Sequence, residues 1–474
     1  MSQHASPSPL RRVAVVGSGV AGLTAAHVLA KQCHVTLYEA APRLGGHADT
    51  HEVTVGGQVV NVDTGFIVHN DRTYPTLLRL FDELGVQTQD SDMSMSIRDD
   101  DAGLEYAGAR GLRGLFPVAR NLRNRDYLRM LGEVRRFHAQ ARKLLAAKPE
   151  GAAENLPDHD PAAVETVRDF VGRGGFSDYF QTYFLAPLVA AVWSCDPAVA
   201  LDYPARYLFT FLDHHGMLTV FGSPTWRTVT SGSARYVERV AAGIQDIRLG
   251  HRVTSVTEAT DGVHVIGGSG ATETFDAVVL AAHPHQSLAM LANPTELQSE
   301  VLGAIHYSPN VAQLHTDESV LPRSSAARAS WNYWRRPGGD EHASVLVSYD
   351  ISRLMRLDVT DRRFIVTLGG EDRVDPSTVI DTMHYEHPLY TPESVAAQAR
   401  LPQIITTRVA FAGAYHGWGF HEDGAKSGLV AAQHLGVDWL DRASSQTRVE
   451  GRADIGPELL SKPESQTAPI AVGS

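Results

Sequence analysis

Apolar and polar positions alternate along this chain in two rhythms, one of period two or continuous and one of helical spacing. Their succession lays out buried strands and amphipathic helices. Val13 to Val16 is a continuous apolar run, as suits a strand covered on both faces; a glycine turn, a helical stretch and a second apolar run ending VTLYE at Glu39 follow. VTV and VVNV flank Gly56-Gly57 and read as a hairpin. Tyr74 to Leu84 has helical spacing, and residues 90–105, polar and acidic, read as a crossing out of the first domain. Gly111 to Ala147 reads as helix, its apolar face built by Leu112, Leu115, Phe116, Leu122, Leu128, Leu131, Val134, Phe137, Leu144 and Leu145.

A linker with proline and acidic residues, Lys148 to Pro161, leads to helices at Val164–Phe170, Tyr179–Val192 and Pro204–Asp213. From Thr228 the character changes. A helix at Arg235–Ala242 precedes paired strands with a turn at Asp261-Gly262, then a buried strand, Asp276–Ala282. Residues 300–370 mix short strands with loops. The strand VAFAG, a glycine-rich loop and a helix ending near Gly436 close the ordered part, and the Ser/Pro/Glu/Gln-rich residues beyond Asp441 read as a disordered tail. There is no internal repeat.

Composition narrows the class. The 474 residues are 43% hydrophobic with mean hydropathy −0.17, ordinary for a soluble globular chain of several domains. The longest apolar runs, such as Leu185 to Trp193, fall far short of the roughly 18 residues a membrane span needs. The opening MSQHASPSPLRR lacks the apolar core of a secretory signal and reads as a short disordered lead. Two cysteines, Cys33 and Cys195, cannot form a disulfide framework; they read as small core residues in a reducing, cytoplasmic compartment. A net charge of −12 argues against general nucleic-acid binding. Yet Arg110 to Lys148 holds eleven basic residues against two acidic ones, Asp126 and Glu133.

The chemistry begins at the first turn. Gly17, Gly19 and Gly22 form G-x-G-x-x-G directly after a strand: the first glycine permits the tight turn, the second lets backbone approach a pyrophosphate, and the third lets helix and strand pack closely. Glu39 follows Gly22 by 17 residues, close to where a carboxylate accepts hydrogen bonds from ribose hydroxyls and disfavours a 2′-phosphate. Strand, spacing and acid agree on a dinucleotide. No G-x-S-x-G elbow appears, and His214-His215 and the scattered His306, His315, His384 and His387 lack metal-ligand spacing, so neither a hydrolase site nor a metal is expected.

Three blocks in order resemble the FAD-dependent amine-oxidase superfamily, which includes monoamine and polyamine oxidases, protoporphyrinogen oxidase and carotenoid desaturases. The first is the glycine turn (Gly17, Gly19, Ala21, Gly22) with Glu39 and Arg43-Leu44-Gly45-Gly46, like the family's R-x-G-G, where an arginine neutralises the pyrophosphate. The second is TSGSARYVERVAAGI followed by HRVTSV, in which Val253 stands where a valine packs on adenine. The third is FAGAYHGWGFHEDGAKSGLVAA, similar to the C-terminal motif that reaches the flavin end with backbone from Gly413 and around Glu422, Gly424 and Ala425. More narrowly, DTGFIVHNDRTYP, LHTD, ASWNYW, HPLY and FHEDG look like bacterial NAD/FAD-binding flavoproteins associated with cyclopropane and methyl-branched fatty-acid modification.

The resemblance implies an α/β fold: a Rossmann-like FAD-binding domain from residues 11–89, 222–290 and 401–440, and a discontinuous, partly helical substrate domain from 90–221 and 291–400. Residues 1–10 and 441–474 flank them. Thr64, Gly65 and Phe66 fall where the family's chain passes the flavin ring. Neither cysteine lies in the C-terminal aromatic block, so FAD is expected to be non-covalent.

Departures from the amine oxidases point to the substrate. Many of them use a lysine near the flavin, and this chain has none between Pro149 and Ala425. Aligning Gly424-Ala425 with the family's Gly-Ala puts His421 where a tyrosine of the amine cage would stand. An imidazole there, of unperturbed pKa near 6.5, suits a base or a hydrogen-bonding group, with Trp418 and Tyr415 lining the isoalloxazine face. The expectation is an FAD-dependent oxidoreductase of a hydrophobic substrate, an unsaturated or methyl-branched fatty acyl chain. An amine oxidase, a redox-neutral double-bond isomerase and an FAD-bound accessory of a lipid methyltransferase are the alternatives. The basic stretch 110–148, with leucines among its arginines, is expected to lie on an anionic membrane surface from the cytoplasmic side.

Overall fold

The central strand of the chain's nucleotide-binding half is its first. In a computed structural model, Arg12–Val16 lies between His34–Tyr38 and Ala277–Leu280, with Asp246–Arg248 and Val409–Phe411 at the edges, and all five strands run parallel. Val13 pairs with Ala277 and Val16 with Leu280, in a run buried on both faces, as its unbroken apolar sequence requires. The structure describes residues 11–147, 164–193, 199, 201–219, 223–268, 270–335, 346–357 and 362–439. The lead 1–10, the 148–161 linker, Cys195 and the tail 441–474 lie outside them.

The helix Val20–Leu29 is buried along almost its whole length because the C-terminal helix His421–His434 lies on it. The approach is close: a Cβ on Gly428 would sit 2.1 Å from the Ala21 carbonyl oxygen. The hairpins expected at Gly56-Gly57 and Asp261-Gly262 form, joining Thr50–Val55 to Gln58–Asp63 and Ser255–Glu258 to Val263–Ile266.

A second, seven-stranded sheet runs in the order Val379–Pro388, Tyr307–His315, Ile365–Leu368, Val347–Asp350, Trp331–Arg335, Met95–Asp99 and Leu104–Ala107. It corrects the reading of residues 90–105 as a crossing. Both strands there are largely buried although polar, because their polar groups find partners, several of them distant: Ser96 Oγ donates to Asn332 Oδ1 at 2.8 Å, and Arg98 donates to the nearby Asp100 and to the Ser319 and Leu321 carbonyls. Helices cover this sheet with an aromatic core that includes Tyr127, Phe137, Phe170, Phe180 and Phe209.

The helical pattern at Gly111–Ala147 is broken into Gly111–Leu115, a 3-10 turn at Ala119–Arg123 and a 22-residue helix, Arg125–Ala146. Pro117 interrupts the first break, and Asn124 caps the long helix, its side chain accepting from the Tyr127 N–H at 3.0 Å.

Candidate functional site

Two glycine turns meet at the carboxyl end of the parallel sheet. Gly17 has φ +102° and a Cβ there would lie 2.5 Å from the Ala281 oxygen; a Cβ on Gly22 would lie 1.9 Å from the Gly17 oxygen. Both must be glycine for the turn to exist. Gly19 differs: a Cβ there would meet nothing within 4 Å. It is the N-cap of the Val20–Leu29 helix, which has no side-chain cap and no acid in its first turn, so the helix presents bare N–H groups and the positive end of its dipole to open space. The second turn is tied to the first by the Gly45 N–H, 3.1 Å from the Ser18 carbonyl oxygen, and a Cβ on Gly46 would approach the Gly19 Cα at 3.1 Å.

Glu39 is held beside them: one carboxylate oxygen accepts from the Ser18 N–H and Oγ at 2.9 and 2.5 Å, the other from the Ala41 N–H at 2.8 Å. These residues fit a dinucleotide. Gly19, Ala21 and the helix start would take the pyrophosphate and Glu39 the ribose. Val253 is buried with Tyr38 and Val265 in the core on one side of the parallel sheet. Arg43 is half-exposed at the second turn. Its guanidinium donates to Asp49 at 2.7 Å and to the Gly46 carbonyl at 2.9 Å, and it borders an open polar cavity of about 490 Å³ with Asp49, His51, Asp381 and Tyr385.

The segment Thr64-Gly65-Phe66 runs against the second turn. The Phe66 N–H donates to the His47 carbonyl at 2.6 Å, a Cβ on Gly65 would lie 2.3 Å from that same oxygen, and Thr64 Oγ1 lies 2.8 Å from the Tyr385 hydroxyl. Phe66 carries its ring onto His421, centroids 3.6 Å apart and planes 12° apart. His421 is buried at the start of its helix, Nε2 3.0 Å from the Tyr236 hydroxyl. Burial, with a smaller contribution from His69, holds its pKa down to about 3. The imidazole is therefore neutral at physiological pH, and a far weaker base than the unperturbed value suggested. His69 lies behind Phe66, both ring nitrogens buried without a hydrogen-bond partner, its pKa held to about 4 by burial and Arg227.

The other two candidates are not brought to His421. Tyr415 is fully buried, its ring in the sheet core with Val16, Leu280 and Phe411. Trp418 belongs to the helical side, edge-on to His214 at 5.2 Å and beside Tyr207 and Phe211, its carbonyl accepting from Trp193 Nε1 at 2.9 Å. Glu422 spends its carboxylate on the N–H groups of Thr76 and Leu77, both at 3.0 Å, capping the helix Pro75–Leu84. Asp423 accepts from the Phe420 N–H at 2.9 Å. A Cβ on Gly424 would lie 2.6 Å from Val20 Cγ1, Ala425 is fully buried, and the Gly413 N–H is taken by Ser427 Oγ at 2.9 Å; these three fix the C-terminal loop against the first helix.

Sequence spacing missed His69 and Tyr236, although both stand inside quoted blocks, and it missed a second histidine group. His47, its Nε2 buried without a partner, stacks on Tyr385 at 4.8 Å and lies 5.5 Å from His387. Folding also gathers what spacing kept apart: ligand-type atoms of His283, His285 and Glu386 lie within 4.8 Å of one another, where His283 Nδ1 and Glu386 Oε2 already share a 2.7 Å hydrogen bond.

The chain matches the family described as flavin containing amine oxidoreductase over residues 20–436. A Mycobacterium tuberculosis protein named as a flavin-containing monoamine oxidase, AofH, is 26% identical over 350 residues, 72% of this chain and 70% of its own length. Among solved structures, a fatty acid isomerase from P. acnes superposes with TM-score 0.65 at 17% identity, over 91% of this chain and all of its own. Cyclohexylamine oxidase from Brevibacterium oxydans superposes with TM-score 0.63 at 15% identity, over 90% of this chain and 98% of its own. At such identities the superpositions speak for the fold.

Proposed function

The chain belongs to the flavin-containing amine oxidoreductases, and from that premise we propose that this FAD-dependent oxidoreductase takes an unsaturated or methyl-branched fatty acyl chain where relatives named as amine oxidases take an amine. FAD, held non-covalently along the two glycine turns, supplies the hydride acceptor.

The reading rests chiefly on the surroundings of His421. A cationic amine needs an aromatic cage or a free carboxylate. Here an imidazole that burial keeps uncharged lies flat on Phe66, and the neighbouring carboxylates of Glu422 and Asp423 are committed to backbone N–H groups of Thr76, Leu77 and Phe420. Such a wall suits an apolar chain. In this reading Phe66 and His421 orient the substrate, the Tyr236 hydroxyl fixes the imidazole plane, and the packing of Phe420 on Phe211 excludes water.

The test is anaerobic mixing of the purified, FAD-loaded protein with candidate acyl lipids and, separately, with mono- and polyamines. Lasting bleaching of the flavin by an acyl lipid is expected. Bleaching by an amine alone would overturn the reading, and lipid product without lasting bleaching would assign isomerisation.

A further inference from the structure

Among the described residues, three of the large apolar side chains most open to solvent are Leu112, Leu122 and Leu128, exposed by 76%, 57% and 43%. They fall within one basic stretch. Residues 110–129 contain six arginines and one acidic residue, Asp126, a local charge of +5 on a chain of net −12.

The pieces of this stretch are tied into one surface. The Leu115 carbonyl accepts from the Tyr127 hydroxyl at 2.7 Å and from Asn121 Nδ2 at 3.2 Å, which links the short helix Gly111–Leu115, the turn Ala119–Arg123 and the start of the long helix. On the inner side Phe116 meets Tyr127 edge-on at 6.0 Å, and Asn121 Nδ2 donates to the Glu105 carbonyl at 2.8 Å. Outward, the leucines stand among arginines of which Arg129 pairs with Glu133 at 3.3 Å and four others have no anionic partner among the described residues. Arg110, Arg113, Arg123 and Arg125 are exposed and form no ion pair among the described residues, whereas exposed arginines elsewhere, such as Arg168 with Asp202 and Arg173 with Glu165, do.

We propose that this surface docks the protein on an anionic lipid bilayer, its guanidinium groups on the phosphates and Leu112, Leu122 and Leu128 in the headgroup–acyl boundary. Charge complementarity selects an anionic partner, and the exposed leucines select one with an apolar layer beneath its charge, which a nucleic acid lacks. The proposal extends the acyl-substrate reading, since it brings the enzyme to where acyl chains reside, and it is separable from that reading.

The experiment floats the FAD-loaded full chain with vesicles of phosphatidylcholine alone and of phosphatidylcholine with phosphatidylglycerol, at low and high salt. At least about tenfold more protein is expected on the anionic vesicles at low salt, because each basic residue near such a surface contributes roughly fivefold. The triple substitution Arg113→Gln, Arg123→Gln, Arg125→Gln should remove that excess, and Leu112→Ser with Leu122→Ser should lower it, with flavin absorbance and melting temperature unchanged. Equal binding to both vesicle types, or binding indifferent to both sets of substitutions, overturns the proposal, as does retention by a nucleic-acid duplex without vesicle binding. Acyl turnover in detergent by protein that ignores vesicles would overturn the docking surface alone; vesicle binding without acyl turnover would support it and count against the acyl reading.

Discussion

His421 lies flat on Phe66, ring centroids 3.6 Å apart, while its Nε2 meets the Tyr236 hydroxyl at 3.0 Å. A buried imidazole held by one stack and one hydrogen bond has a definite plane, and Tyr236→Phe removes the hydrogen bond and leaves the nitrogen buried and unsatisfied. That substitution should cost about 1–3 kcal/mol of stability, whereas the double change Tyr236→Phe, His421→Phe should cost less than the sum of the singles. Urea unfolding of the four proteins gives the coupling; additive costs would show that the contact contributes nothing.

The glycines separate folding from cofactor binding. Gly19→Ala adds a methyl group that touches no protein atom within 4 Å, at φ −63°, so the apoprotein should melt as wild type while its affinity for FAD falls at least about tenfold. Gly22→Ala drives a methyl into the Gly17 oxygen, 1.9 Å away, and should lower the melting temperature of the apoprotein itself. Apoprotein melting curves beside FAD titrations check both; equal loss of stability in the two variants would contradict the open position at Gly19.

Glu422 is engaged by the Thr76 and Leu77 N–H groups, so Glu422→Ala should act as loss of a helix cap. About 1 kcal/mol of stability is expected to go, with FAD affinity within about twofold of wild type. A large loss of FAD affinity without loss of stability would place the carboxylate on the cofactor instead.

Acid should destabilise the fold. Burial holds His421 down to about 3 and His69 and His387 to about 4, against 6.5 when unfolded. The unfolded chain therefore takes up protons first, so stability is complete above about pH 6.5 and is lost as pH falls toward 4. Asp423 and Asp63 work in the opposite sense. Burial raises them to about 7 and about 6, so their protonation in the fold favours it as pH falls below those values. Many buried imidazoles outweigh two carboxyls, at up to about 2 kcal/mol each at pH 5. Melting temperatures measured from pH 8 to pH 5 should decline below 6.5; a rise over that interval would show that the aspartates dominate.

Local signals carried the nucleotide half of the fold. Val13 to Val16, the Gly56-Gly57 hairpin and both glycine turns announce themselves within a few residues, because backbone conformation and burial on two faces constrain the residue types directly. Met95–Asp99 and Leu104–Ala107 were hidden because their buried polar groups are satisfied by residues more than 200 positions away, such as Asn332 and Leu321. The site divides in the same way. The motif around Gly424 singles out His421, but its basicity is not legible there, since burial among Phe66, His69 and Tyr236 sets it. Tyr415 shares the loop of Trp418, yet its ring turns into the core, a choice that no spacing in the sequence records.

The parallel sheet that carries the two glycine turns begins at Arg12 and is finished only by Val409–Phe411, and the helix that closes on Ala21 follows at His421. A chain emerging from the ribosome thus carries an incomplete cradle until almost all of it has been made. A product cut short near residue 400 would lack both the last strand and the helix that seals the first turn.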